Sequence, residues 1–438
     1  MLKTNRQIIL LVMDFFDFSV LTQTYKDLKL ILSFLASYRW IILPFIAYLI
    51  FLIVRETLLF YRQSKYRSEI EWEMFEIRIP REIEKGPKAM DQFFTSLWTL
   101  INMPISWKEK YIDGEVTLWH SFEILGKDSK AHFLVRTPKK LRHSVESMLY
   151  AHYPDIEIAS AEDYTTEFPD TFAELEGIGY DIFGLEAKLK ERSPYPINTY
   201  MIFEEPGGEE RIIDPISQIL ETISRARPEE RVWIQLVLRP AKPGWEKEGG
   251  QIIGELKEKS RMKPLPGQQG PSFPLLSPAE EESLKAVSRK VSKRGFEVLI
   301  RLAYLAPKDI FDKNMWKNLL SYFNQYSSSM NFFTINPNSI TGVRWWKWPF
   351  FFTGSRTRTR KGNLLYRYKE RYIPEETAVG RLTDPKGGSD FQFTSSISIL
   401  NSEELATLYH PPTNAVLTAP AMDRVESKKV SPPGYIPF

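Results

Sequence analysis

Apolar residues fall in three patterns along this chain: one unbroken run, several two-residue alternations, and several stripes at helical spacing. The run is Trp40 to Val54, WIILPFIAYLIFLIV, with Arg39 and Arg55 closing its ends. With Leu58, Leu59, Phe60 and Tyr61 it predicts a helix of roughly 20 residues, about the length that crosses a ~30 Å hydrocarbon core. Arg55 and Glu56 interrupt it, where long side chains reach headgroups or pair. Trp40 and Tyr61 stand where amphipathic aromatics settle at a bilayer interface. Pro44 is tolerated inside a lipid-embedded helix. The competing reading is a buried core helix. The run begins too far from Met1, and lacks the small-residue site, for a cleaved signal peptide. Residues 1–38 read as an interfacial or re-entrant segment, with apolar patches Ile8–Phe18, broken by Asp14 and Asp17, and Leu28–Leu35.

After a transmembrane and juxtamembrane stretch (39–69), residues 70–166 alternate between the other two patterns. WEMFEIRI (Trp72–Ile79) predicts a half-buried strand ended by Pro80. Pro87–Asn102 carries Met90, Phe93, Phe94, Leu97, Leu100 and Ile101 at helical spacing, with Pro87 suited to a first turn. VTLWHSFEIL (Val116–Leu125), the tight connection GKDS and HFLVR (His132–Arg136) form a hairpin. Pro138–Tyr153 is a second helix and IEIA (Ile156–Ala159) a last strand. Strand, helix, strand, strand, helix, strand is the order of the ferredoxin-like split βαβ unit, an antiparallel sheet with helices on one face.

Residues 178–340 repeat that order with an insertion. Ile197–Phe203 reads as a strand, Pro215–Ser224 as a helix behind the N-cap candidate Asp214, and Val232–Leu238 as a strand. Phe296–Ala303, a helix Lys313–Gln325 and Asn331–Ile335 complete the set, with Asp181–Lys188 an edge strand. Between the middle strands, 244–294 replaces a tight turn with a helical arm. The fold class is therefore α+β: a transmembrane helix, then two tandem ferredoxin-like domains, the second interrupted. One larger α+β sheet is the competing arrangement. A strand, a short helix from Ser402 capped by Asn401 or Ser402, and a Pro-rich tail fill 391–438.

The segment 341–390 stands apart. Its stretch 344–372 brings together Arg344, Lys347, Arg356, Arg358, Arg360, Lys361, Arg367, Lys369 and Arg371, with Glu370 the lone acid, and interleaves Trp345, Trp346 and Trp348. Three readings fit: aromatics and cations on an anionic leaflet, arginines on phosphates with stacked bases, or docked core with a solvated loop. Net charge is only +3, so overall balance implies no nucleic-acid partner. There is no cysteine, which excludes disulfides, thiolate metal sites and thiol nucleophiles and fits a cytosolic body. No GxxxxGK[ST], GxGxxG after a strand, HExxH or GxSxG occurs. His120 and His132 share the predicted hairpin but make an incomplete metal set. Glu281–Glu282 and Glu403–Glu404 read as helix-start acids. No enzyme, cofactor or metal is expected. Arg62, Lys65 and Arg67 after the run favour a cytoplasmic body on the inner membrane.

FEIRIPREIEKGPKAMDQFFTSL (75–97), HSFEIL (120–125), HFLVRTPKKLRHSVESMLYAHYPDIEIASAEDY (132–164), ILNSEELATLYHPP (399–412) and VESKKVSPPG (425–434) resemble the membrane-anchored N-terminal region of bacterial type IV secretion, conjugative DNA-transfer ATPases. In full-length members of that family a RecA-like motor follows the last of these segments. The chain stops at Phe438 and has no phosphate loop. The resemblance therefore implies a scaffold whose motor is a separate ATPase subunit, or a truncated or non-motor form, and it transfers no catalytic residue. The partners it implies are the bilayer, that motor and further copies of the chain, with nucleic acid as the alternative.

Overall fold

Alternation in the body resolves into one antiparallel sheet. The computed structural model describes residues 18–80, 85–100, 103–104, 106–203, 214–259, 277–312, 314–343, 352–374 and 396–412. The described residues up to Tyr61 form one compact unit and those from Arg62 another. The first holds helix α1 (Phe18–Ser37) and most of helix α2 (Arg39–Ser68).

In the second unit the strands are β1 (Trp72–Arg78), β2 (His120–Lys127), β3 (Lys130–Pro138), β4 (Glu157–Ala161), β5 (Tyr180–Leu189), β6 (Arg231–Pro240), β7 (Gly295–Pro307), β8 (Phe333–Ile335) and β9 (Ser398–Asn401). Their order is β4-β1-β3-β2-β6-β7-β5-β8, with β9 on β7, and every ladder is antiparallel. The join between β2 and β6 runs from His120 opposite Leu238 to Gly126 opposite Val232.

Successive residues point to opposite faces of a strand. Phe75, Phe122, Ile124, Val135, Ile234, Ile300 and Leu302 therefore share one core. Helices α3 (Pro87–Leu100), α4 (Arg142–His152), α7 (Ser217–Ser224), α10 (Met315–Asn324) and α12 (Ser402–Leu408) bury Phe94, Leu149, Ile219, Leu319 and Leu405 in it. Met74, Leu125, Leu134, Trp233, Ala303 and Leu305 face the other way. Helix α5 (Phe172–Gly177) and helix α11 (Thr353–Lys369) cover that face with Leu175, Leu364, Leu365 and Tyr368.

The expected strand assignment changes at one place. Ile197–Phe203 is not a strand; Tyr200–Phe203 is the helical turn α6, and β5 takes the first strand place. Its backbone donors are already used: Ile197 N–H by Glu404, Asn198 N–H by the Tyr326 carbonyl and Tyr200 N–H by Thr407. The two expected domains share one continuous sheet within one compact unit. The helical arm expected over 244–294 is present in its described residues and is tied to the rest of the body. Its helices α8 (Trp245–Lys259) and α9 (Pro278–Ser292) are tied through α9, where Lys290 meets Glu404 at 2.9 Å with both side chains buried. Just beyond it, Lys293 bridges Asp91 (2.6 Å) and Glu403 (2.9 Å). Glu404 also completes a capping box on Asn401, so the acids at 403–404 do more than start a helix. Residues 260–276 within the arm, 344–351 and 375–395 within and after the basic–aromatic segment, the tail from 413 and residues 1–17 lie outside the described residues.

Candidate functional site

The apolar run forms one 30-residue helix, Arg39–Ser68, with Pro44 inside it. Among the described residues it alone is long and apolar enough to cross a membrane, and its most apolar window is entirely unburied. Trp40 is 79 % and Tyr61 66 % exposed, and Val54 is also exposed. An apolar surface of this length has no reason to face water.

The basic–aromatic stretch behaves differently. Arg344, Trp345, Trp346, Lys347 and Trp348 lie outside the described residues. Arg356, Arg358, Arg360, Lys361, Arg367 and Lys369 all sit on α11, where a solvated loop was one expectation. The helix lies on the sheet, with Tyr368 stacked on Trp233 at 4.9 Å. Many of its cations are held by the body. Arg358 meets Glu176 at 2.6 Å, Arg360 donates to the Ile340 carbonyl at 3.1 Å, Lys361 pairs with Asp181, and Lys369 pairs with Asp170 and donates to the Phe168 carbonyl at 2.7 Å. Arg367 lies over the Tyr372 ring.

Arg371, expected to touch lipid or nucleic acid, is fully buried instead. Its guanidinium forks onto Glu123 at 2.9 and 3.0 Å and onto Asp163 at 2.6 and 2.9 Å. Burial pushes the carboxyls of Glu123 and Asp163 up, but Arg371 beside them holds both below the ordinary range. Glu123 begins a polar row across four neighbouring strands. It is opposite Gln235, which is opposite Arg301, which is opposite Glu186. Gln235 donates to Glu123 at 3.1 Å, Arg301 to Gln235 at 3.0 Å, and Arg301 to Glu186 at 3.1 Å. The Tyr372 carbonyl closes the row by accepting from Arg301. One signal was available in the sequence: Gln235 interrupts the apolar run 232–238 and Arg301 the apolar run 298–306.

Beside the C-terminal end of α11 a cleft of about 870 Å³ opens on the same face. Trp72, Trp119 and Arg136 line it from the strands and the segment before β2, Gln63 and Arg67 from α2, and Lys110 from the loop before β2. The Arg136 guanidinium lies over the Trp72 ring at 4.5 Å, and Trp72 packs on Trp119 at 4.9 Å. The loop is docked on α2, since Arg62 donates to the Tyr111 and Ile112 carbonyls at 2.9 and 2.7 Å.

The two hairpin histidines do not oppose each other. His120 faces Leu238 and His132 faces Leu125. His132 contacts Glu76 at 2.6 Å. His120 is fully buried with neither ring nitrogen hydrogen-bonded, and burial pushes its pKa down to about 3. His410 is buried between the Ala406 carbonyl (2.8 Å) and Asp214 (2.9 Å). Among the described residues no group of three His, Asp or Glu side chains is placed to hold a metal ion.

No curated protein matches this sequence. The family model described as Domain of unknown function (DUF8128) matches residues 61–423, which begins at the end of the apolar run and takes in the whole sheet, the polar row and the cleft. The chain belongs to the DUF8128 family.

Proposed function

We propose that this protein is a single-pass membrane scaffold without catalytic activity of its own. Its body would stand on the cytoplasmic face of the inner membrane and recruit or complete a separate ATPase motor of a type IV secretion or conjugative DNA-transfer-like machine, as a homo-oligomer. The observation that carries the membrane part is the unburied apolar helix, which continues into the body without a break. Arg62, Lys65 and Arg67 at its end support a cytoplasmic body. The resemblance of segments 75–97, 120–125, 132–164 and 399–412 supports the machine. We further read the sheet as two split βαβ units joined edge to edge. In support, β4-β1-β3-β2 and β8-β5-β7-β6 repeat one order, and β2 meets β6 at the middle. Binding of nucleic acid through 344–372 has less support, because Arg371 is buried and Arg358, Lys361 and Lys369 are paired within the body.

Alkaline carbonate washing of membranes carrying the full chain tests the anchor: the protein stays in the pellet, and release into the supernatant ends the reading. Affinity purification in mild detergent tests the rest. An ATPase co-purifies with a chain that does not itself turn over ATP; recovery without any ATPase, or ATP turnover by the pure chain, contradicts it.

A further inference from the structure

The cleft between α2, the loop before β2 and the outer part of the sheet is built unlike the rest of the body. Elsewhere, buried arginines end on carboxylates or carbonyls, as Arg371 and Arg301 do. Arg136 does not. Among the described residues no hydrogen bond or ion pair takes its guanidinium, whose five N–H donors are fixed in a planar fork. Glu123, Asp163 and Glu370 are near enough to act on it electrostatically, and the first two are already held by Arg371. Burial, then repulsion from Arg371, lowers its pKa to about 10, so it remains a cation at neutral pH. Packing over Trp72 fixes the plane of the fork and leaves its edge for an acceptor. A half-buried guanidinium with no hydrogen-bond acceptor from the protein is placed to take an oxyanion.

The surroundings point the same way. Lys110 lines the cleft with only the Tyr111 ring beside its ammonium, at 5.6 Å, and no carboxylate partner among the described residues. The Trp119 Nε1–H is buried with no acceptor. Glu115 and Glu370 are the acids of the lining, against Arg67, Lys110, Arg136, Arg239 and Lys242. Arg239 is accounted for by Glu297 at 2.8 Å, and Arg67 and Lys242 also have partners, which leaves Lys110 and Arg136 as the cations of the lining open to a ligand. A fork and a point charge converging on one space suit a phosphate better than a carboxylate, because phosphate offers more acceptor oxygens.

We propose that this cleft binds a phosphate group, carried by an anionic phospholipid headgroup or by a small soluble phosphate. The lipid source rests on the membrane reading above. Arg67 follows Tyr61 by six residues of the same helix, a rise of about 9 Å, which is headgroup depth if Tyr61 marks the interface. The loop that supplies Lys110 is locked there. Gly114 (φ +70°) closes against the Arg62 backbone, where a Cβ would lie 2.7 Å from the Arg62 carbonyl carbon. The loop leaves Trp107 68 % and Ile112 47 % exposed, side chains suited to an interface.

The test uses the full chain in mild detergent. Native mass spectrometry follows retention of phosphatidylglycerol against diacylglycerol, which lacks the phosphate, and thermal melting follows inorganic phosphate. The lipid source predicts retention of phosphatidylglycerol but not diacylglycerol, without displacement by millimolar phosphate. The soluble source predicts that phosphate raises the melting temperature and displaces the lipid. Under either source Arg136→Gln weakens binding about tenfold or more, and Lys110→Gln, on the loop and remote from the core, weakens it with the melting temperature of the ligand-free chain unchanged. Equal binding by the wild type and both variants, or binding of neither ligand, overturns the site. A chain that washes off membranes yet still responds to phosphate through Arg136 keeps the site and loses the anchor. A chain that stays in membranes and binds neither does the reverse.

Discussion

Arg371 carries more structural consequence than any other cation of its segment. It sits just past the end of α11 with a left-handed backbone (φ 49°), which turns its side chain into the sheet face. Removing it leaves Glu123 buried as an uncompensated charge, so Arg371→Met costs about 3–5 kcal/mol, read as a lowered denaturation midpoint. Arg371→Lys recovers little, because a point charge cannot fork onto two carboxylates. Adding Glu123→Leu to Arg371→Met recovers much of the loss, since the apolar replacement removes the buried charge itself. Acid sensitivity follows from the same residues and from His120. Glu123 and Asp163 titrate below their ordinary 4.5 and 3.8 in the fold, so their stabilisation is full above those values and is lost as pH falls through the depressed ones. His120 acts earlier. Above its ordinary 6.5 both folded and unfolded chains hold it neutral; below that the unfolded chain gains a proton that the fold excludes down to about 3. Stability then falls by about 1.4 kcal/mol per pH unit. Urea midpoints measured between pH 6.5 and 5 show this slope in the wild type, and His120→Leu flattens it.

At the scale of elements, close approach decides how α11 lies. Gly184 in β5 faces it, and a Cβ there would come within 2.4 Å of the Leu364 side chain and of the Leu302 carbonyl. Gly184→Ala is therefore expected to push the helix off the strand and destabilise by about 1–3 kcal/mol, as overpacking does. A denaturation midpoint equal to that of the wild type would show that the helix shifts freely. The insertion 244–294 is fastened by a different means. Lys290 and Glu404 are both buried, and burial drives the lysine pKa down and the carboxyl pKa up, toward a neutral hydrogen-bonded pair. That buried pair, together with Lys293 on Asp91 and Glu403, joins α9 to α12 and α3. An amphipathic helix whose polar side also carries ties of this kind is a fixed part of the body.

For the whole molecule, the join of β2 to β6 makes one sheet from two halves that could each have been a domain. The polar row crosses that join through Glu123 and Gln235, so neither half has a satisfied face without the other. The body should then unfold in one transition. Native-state hydrogen exchange checks this: amides at the centres of β3 and β7 share one opening free energy, whereas two separate values would mean two independent domains.

Much of this architecture is written locally. Apolar alternation in β1, β2, β3, β6 and β7, and the helical stripes of α3, α4, α7 and α10, are short-range patterns. Residue type and spacing suffice to produce them. The long apolar helix is more local still, because its length and lack of charge are properties of one segment. Tertiary structure alone decided the rest. It made Asp181–Lys188 an inner strand instead of an edge, since β5 acquired neighbours on both sides, β7 and β8. It turned 197–203 away from the sheet by giving its donors to α12 and Tyr326. It carried Arg371 across 248 positions of sequence to Glu123. A cation on a basic helix looks the same in sequence whether it meets water, lipid or a buried carboxylate. Which of these it meets depends on what the sheet brings opposite, and that pairing is set by chain topology.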